Sequence, residues 1–309
     1  MTPFIEHILV GTDFSTPSKR AAHVASRVAS ASTSPPTVTL FNAVSPLPLG
    51  RLSPFVPFGT SGEDLEADLR ERARNQLRET RDECFGDVPA RIVEDKHPHP
   101  ALAICDAAEA YEADLVVIGT HGLTGLGRAM FGSVASRVLR HAQTDVLCIP
   151  ERFDTERFPP RTITVATDFS RPSMRAVATA GRWARAFDAS LELLHVVSLA
   201  PVHQAGFGWA FPPDLATRTQ EMTDHAEAQL REVASKRLGD VRDVTVHAVV
   251  GTGSAERTVA SRVNETERSM VVVGNVGRSG VSRLMLGSVA EGVARHSECA
   301  VLCVRAGQS

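Results

Sequence analysis

The sequence has no long apolar run, no excess of basic charge, few cysteines and no phosphate-loop lysine, and each absence removes a class of function. No stretch approaches the roughly 20 apolar residues that span a bilayer, which argues against membrane insertion by a helix. Met1 to Gly11 lacks the basic and long apolar segments of a secretory signal, so a cytoplasmic location is expected. The 33 Lys plus Arg are balanced by 36 Asp plus Glu, for a net charge of −3. Such a balance offers no general attraction to a nucleic acid backbone, and no nucleic acid partner is expected. Cys84, Cys105, Cys148, Cys299 and Cys303 are too sparse for a disulfide framework. Cys148 and Cys303 fall in strand-like apolar runs and read as buried free thiols, and no second cluster completes a zinc site around Cys299 and Cys303. The pairs Gly-Lys-Ser and Gly-Lys-Thr do not occur, so fast phosphoryl transfer of the P-loop type is disfavoured.

What is present is an ordinary globular composition, repeated. The 309 residues suffice for two domains of about 150 residues each. Leu9-Val-Gly-Thr-Asp13-Phe-Ser15-Thr-Pro17-Ser18 is echoed by Thr164-Val-Ala-Thr-Asp168-Phe-Ser170-Arg-Pro172-Ser173, with the two aspartates 155 positions apart. The same offset relates Gly119 to Gly274, Gly122 to Gly277, Gly132 to Gly287, Ser133 to Ser288 and Cys148 to Cys303. Between the copies, Glu151 to Pro160 is charged and ends in two prolines, which marks a linker. The expected domains are residues 1–152 and 160–309.

Each copy alternates β-branched runs with longer helical patterns, the signature of parallel strands joined by crossover helices. Strands are predicted near His7–Gly11, Val38–Val44, Ala90–Glu94, Leu115–Gly119 and Val146–Ile149, and again near Ile163–Ala166, Leu191–Val197, Thr245–Val250, Met270–Gly274 and Val301–Val304. Leu65, Leu69, Ala73 and Leu77 recur every four residues amid charged neighbours and read as the core-facing stripe of a solvated helix. The fold class is α/β: two tandem doubly wound open parallel sheets of five strands, Rossmann-like, with helices on both faces. Such sheets bind ligands beyond the carboxyl ends of the strands where the winding reverses, which directs attention to the residues after strands one and four.

After strand four, both copies carry G-x2-G-x9-G-S: Gly119, Gly122, Gly132 and Ser133 in the first, Gly274, Gly277, Gly287 and Ser288 in the second. Glycines there let backbone N–H groups approach a phosphate, and the serine can cap a helix whose positive end faces an anion; as a bland alternative, the glycines make a turn and the serine is only a cap. Bulky residues at Gly132 or Gly287 are expected to fill the phosphate space and to resist a positive φ. Asp13 and Asp168 end strand one and can accept ribose hydroxyls or hold a metal beside phosphates, or else, with Ser15, cap the following helix. After strand three, Asp95, His97 and His99 could be read as a metal site, but at this spacing in a proline-rich loop the histidines read as exposed loop residues. Their titration is expected to make the first site the more pH-responsive of the two, because Thr252 and Ser254 stand at the equivalent places. The loops Ser45–Ser61 and Ser198–Pro213 are rich in Pro, Gly and aromatics, which suits lids or binding surfaces but equally packing on their own domains.

An aspartate after strand one, five alternating strands and G-x2-G-x9-G-S before the last helix together resemble the universal stress protein family, twice, over nearly the whole chain. The resemblance implies a nucleotide site of Thr12, Asp13, Gly119, Gly122, Gly132, Ser133 and Val134, and a second of Thr167, Asp168, Gly274, Gly277, Gly287, Ser288 and Val289, with Ala43 and Val196 at the adenine-contacting position near the end of strand two. It implies ATP as the ligand of both copies, and Mg is the metal that Asp13 and Asp168 would hold beside its phosphates in the metal reading of those carboxylates. It further implies a stress or signalling role through nucleotide-dependent conformation or assembly, pairing of the two domains through their last strands, and a homodimer. The alternatives are a slow ATPase, disfavoured by the missing lysine and the lack of a paired general base, and a lipid- or protein-binding scaffold with structural nucleotide.

Overall fold

The computed structural model describes residues 5–32, 34–45, 62–120, 131–198, 215–251, 253–277 and 286–307. The chain divides into two compact units, Met1–Glu151 and Arg152–Ser309. In the first, β1 (His7–Gly11), α1 (Thr16–Ser30), β2 (Thr37–Val44), α2 (Gly62–Cys84), β3 (Ala90–Lys96), α3 (Pro100–Ala110), β4 (Leu115–Gly119), α4 (Ser133–His141) and β5 (Asp145–Ile149) follow one another. The second repeats the order as β6 (Thr162–Ala166), α5 (Arg171–Phe187), β7 (Ser190–Ser198), α6 (Leu215–Arg237), β8 (Val244–Gly251), α7 (Ala255–Asn264), β9 (Ser269–Gly274), α8 (Ser288–His296) and β10 (Ala300–Val304).

Every strand pair inside a unit is parallel, in the order β3-β2-β1-β4-β5 in the first and β8-β7-β6-β9-β10 in the second. The central strands are apolar throughout because both faces are covered by helices: Ile8, Leu9, Val10, Val116, Val117, Ile163, Val165 and Val272 have no solvent exposure. Each large aliphatic side chain so buried contributes about 1.5–3 kcal/mol of transfer free energy. α1 packs on α2, and α3 on α4. Because the connections reverse direction between β1 and β4, the two helix pairs lie on opposite faces of the sheet.

Two expectations are adjusted. The stripe on α2 is core only in its second half: Ala73 and Leu77 are buried, while Leu65 and Leu69 are half-buried among the described residues. The stretch from Glu151 to Pro160 contains two buried aromatic rings, Phe153 and Phe158, and Phe158 anchors it to the second unit by meeting Phe187 edge-on at 5.3 Å. Two apolar rings in a charged stretch are a weak signal against the prolines beside them. None of the five cysteines is in a disulfide, and burial pushes the thiols of Cys84 and Cys299 up to about 11, which keeps them protonated and unreactive.

At the opposite, amino-terminal end of the first sheet, a chain of hydrogen bonds through the buried His7 and Thr39 ties β1 to its neighbours. Arg91 Nε donates to Thr39 Oγ1 at 2.5 Å, Thr39 Oγ1 lies 2.8 Å from His7 Nε2, and His7 Nδ1 lies 2.5 Å from the Tyr111 carbonyl. The carbonyl can only accept, so the neutral ring carries its proton on Nδ1 and takes the Thr39 hydroxyl hydrogen at Nε2. Arg91 also stacks over the Tyr111 ring, 4.1 Å from its centroid. Burial lowers the His7 pKa below its usual value; the Tyr111 hydrogen bond opposes that, the Arg91 charge adds to it, and Asp114 opposes it. A lowered folded-state pKa means that the fold prefers the neutral ring. The stabilisation is complete above the unfolded value, about 6.5, and is lost as pH falls toward the folded value. We therefore expect the melting temperature of the full chain to fall more steeply between about pH 7.5 and about pH 5.5 in the wild type than in His7→Gln. Hydrogen exchange of the β1 amides should show the same difference, and equal slopes would place His7 outside the acid response.

Candidate functional site

Each unit opens a cavity beyond the carboxyl ends of β1 and β4, or of β6 and β9, where the winding reverses. Their volumes are about 500 Å³ in the first unit and about 290 Å³ in the second. The first is lined by Thr12, Asp13, Ala43, Gly119, Gly132, Ser133 and Val134, and the second by Thr167, Asp168, Val196, Gly274, Gly277, Gly287, Ser288 and Val289. Of the candidate residues named from sequence, Gly122 alone lies outside the described residues, as do most of the two aromatic loops and Thr252.

The aspartates are held by turns that their own sequences make. In the first unit, Asp13 Oδ1 accepts from the Ser15 backbone N–H at 3.1 Å and from the Ser15 hydroxyl; in the second, Asp168 Oδ1 accepts from the Ser170 N–H at 3.0 Å. Ser15 and Ser170 are the helix caps, each accepting from the N–H three residues on. The aspartate therefore supports the cap rather than being it, with one oxygen committed to the turn. Phe14 and Phe169 take the left-handed conformation, with φ of 64° and 62°, which is costly for an aromatic residue and aims the preceding carboxylate across the crevice. The Phe14 and Phe169 N–H groups donate to Thr12 and Thr167 Oγ1, each at 3.0 Å. Those hydroxyls meet buried Ser18 and Ser173 at 3.0 and 2.9 Å. Neither serine was singled out from sequence, though both sit in the repeated decapeptide.

The glycine loops are closed at their base by Gly132 N–H to Thr120 O at 2.8 Å and by Gly287 N–H to Asn275 O at 2.7 Å. Two expectations are corrected there. Ser133 and Ser288 are not caps: Gly132 and Gly287 hold the cap positions of α4 and α8, no side chain caps either helix, and the serines are the exposed first residues. The first-turn N–H groups are thus left for an acceptor in the cavity. Gly132 and Gly287 have φ of −58° and −64°, so backbone handedness does not demand glycine; at Gly287 space is the constraint, since a Cβ there would lie 3.2 Å from the Asn275 carbonyl oxygen. Gly119 lines the cavity and serves packing as well, because a Cβ there would lie 2.9 Å from the Pro17 carbonyl carbon at the start of α1. Gly277 faces the chemistry instead: a Cβ would lie 3.0 Å from Asp168 Oδ2, the oxygen not used in the turn.

His97 and His99 do not line the first cavity. The His99 N–H donates to His97 Nδ1 at 3.0 Å, and His99 is the exposed residue preceding α3. The imidazole that lines a cavity is His195, in the second unit, so the expected pH asymmetry loses its structural basis. β3 also runs on to Lys96, pairing Asp95 with Ala43, which removes Asp95 from that loop. Among the described residues no group of three or more His, Cys, Asp or Glu is placed to hold a metal.

Fold and cavity together define a doubly wound, Rossmann-like α/β protein with an equivalent crevice in each unit. The chain belongs to the universal stress protein family, whose profile matches residues 5–150 and again 160–305. It is 26% identical over 304 residues to a universal stress protein of Mycolicibacterium smegmatis, covering 96% of both chains. It is 31% identical over 194 residues to a universal stress protein of Mycobacterium tuberculosis, covering 62% of this chain and 58% of that one. Among solved structures it resembles a universal stress protein from Archaeoglobus fulgidus with a TM-score of 0.66 at 19% identity, covering 97% of this chain and 98% of that one, a likeness of fold.

Two glycine substitutions separate packing from site. Gly119→Ala should lower stability by about 1–3 kcal/mol, because the obstacle is backbone. Gly277→Ala should leave the melting temperature nearly unchanged, because the obstacle is a side-chain end that can swing, and yet weaken any ligand held by Asp168. Thermal melts of the two variants check this: a Gly277→Ala loss as large as that of Gly119→Ala would make both glycines structural.

Proposed function

We propose that each unit binds one ATP at the crevice beyond its first and fourth strands, and that occupancy changes conformation or assembly in a cytoplasmic stress or signalling role. The observation that carries the reading is the convergence, twice, of an uncapped helix N-terminus and an oriented aspartate across one cavity. The first-turn N–H groups of α4 and α8 suit phosphate oxygens, and the helix end favours negative charge there. The aspartates suit ribose hydroxyls, the role acidic residues take in nucleotide crevices of doubly wound sheets. Apolar Ala43 and Val196 at the ends of β2 and β7 suit the face of a base. No helix among the described residues is long and apolar enough to cross a membrane.

One carboxylate per cavity fits a Mg ion that arrives with the triphosphate and keeps most of its water, rather than a resident metal in a protein cage. The chain's own residues then bind and orient, and hydrolysis is slow at most. Among the described residues neither cavity is lined by a lysine, an arginine or a second carboxylate to activate a nucleophile.

Calorimetric titration of the full chain with ATP and magnesium should give two ATP per chain and a raised melting temperature. Sedimentation with and without ATP should show a change in shape or in a homodimer population. Absence of both heat and thermal shift would reject the reading.

A further inference from the structure

One side chain in each unit makes a contact that the nucleotide reading does not use. The carbonyl of the residue just before each aspartate is taken by a polar side chain from the neighbouring strand rather than by the sheet ladder. Asn42 Nδ2 donates to Thr12 O at 2.7 Å, and His195 Nδ1 lies 2.7 Å from Thr167 O. The two positions are equivalent. The last ladder bonds between first and second strands are Thr12 N–H to Phe41 O and Thr167 N–H to Leu194 O, both 2.9 Å, and Asn42 and His195 come immediately after. Both residues line their cavities.

We propose that Asn42 and His195 are positioning residues for the two nucleotide sites, each latching the peptide that carries Asp13 or Asp168. The inference rests on the reading of these crevices as nucleotide sites. At this point the first strand leaves the sheet and the chain turns through a left-handed phenylalanine, so the Thr-Asp peptide plane has no further rung to fix it. A short N–H···O bond, buried in the first unit and part-buried in the second, supplies that restraint, and the direction of the carboxylate follows from it. In the second unit Phe169 also lies against the His195 ring, with centroids 4.7 Å apart and planes tilted by 38°, so the latch and the strained turn brace each other. An amide in one unit and an imidazole in the other perform one task because each places an N–H at the same distance from the same carbonyl. The carbonyl can only accept, so His195 must carry its proton on Nδ1.

The test uses the full chain, titrated with 8-azido-ATP, photolysed, and mapped by peptide mass so that each half reports its own affinity. Asn42→Ala and His195→Ala should each weaken labelling of their own half by about tenfold, the upper end of what one buried hydrogen bond contributes, and leave the other half unchanged. His195→Asn should return the second half to within about threefold of wild type, since the first unit shows that an asparagine amide reaches this carbonyl. Unchanged affinity in the alanine variants, or His195→Asn as weak as His195→Ala, would overturn the proposal. Long-range ¹H–¹⁵N NMR of the wild-type protein decides the latch without any variant: an Nδ1–H tautomer for His195 is required, and an Nε2–H tautomer overturns it. A chain that binds no nucleotide yet shows the Nδ1–H tautomer would reject the nucleotide reading, and with it the positioning role, while leaving the latch as a structural bond.

Discussion

The hydrogen bonding of β1 to both β2 and β4 is the constraint on which each unit depends. A parallel sheet with right-handed crossovers that first winds outward through β2 and β3 and then returns to β4 must place the helix pair formed before the reversal and the pair formed after it on opposite faces. Those helices diverge beyond the carboxyl ends of the two central strands and leave a crevice that side chains of the sheet cannot fill. The cavity, the aspartate turn at its edge and the uncapped helix opposite are all consequences of that one reversal, repeated in β6 with β7 and β9.

The ends of the central strands are specialised in opposite ways. At the amino-terminal end polar groups are buried and fully engaged. His7 and Thr39 do this in the first unit, with the exposed Arg91 donating to Thr39 from the solvent side. In the second, Glu192 accepts from Thr164 at 2.8 Å and pairs with Arg262 at 2.7 Å. Thr39 and Glu192 occupy the same place in the sheet, opposite Leu9 and Thr164. One unit fills it with a neutral hydroxyl among bases and the other with a carboxylate beside an arginine. At the carboxyl-terminal end, by contrast, polar groups are arranged toward a space. Strain at Phe14 and Phe169 is tolerated there because the serine caps, the threonine hydroxyls and the strand-two latch over-determine the turn.

The repeated decapeptides and the glycine signature made the tandem architecture, the parallel strands and most of the cavity lining legible, because backbone conformation and burial impose periodicity on residue type. Strand positions were legible for the same reason and ended within two residues of the observed bounds. Roles were less so. Ser133 reads as a cap in any sequence, and only the geometry shows Gly132 taking that place. Gly119 and Gly277 are indistinguishable as letters, yet one clears the backbone of α1 and the other the carboxylate of Asp168.

The sequence by itself determined the fold class, the duplication and most of the residues that line the two cavities, because these rest on local patterns repeated at a fixed offset. Only the tertiary structure decided which histidine faces a cavity and which residue steadies each aspartate. The offset between copies shortens from 155 residues at the aspartates to 153 at Asn42 and His195, and an amide and an imidazole share no letter. Their equivalence lies in the distance to one carbonyl, and contacts between neighbouring strands are set by register, which composition and periodicity within a strand do not encode.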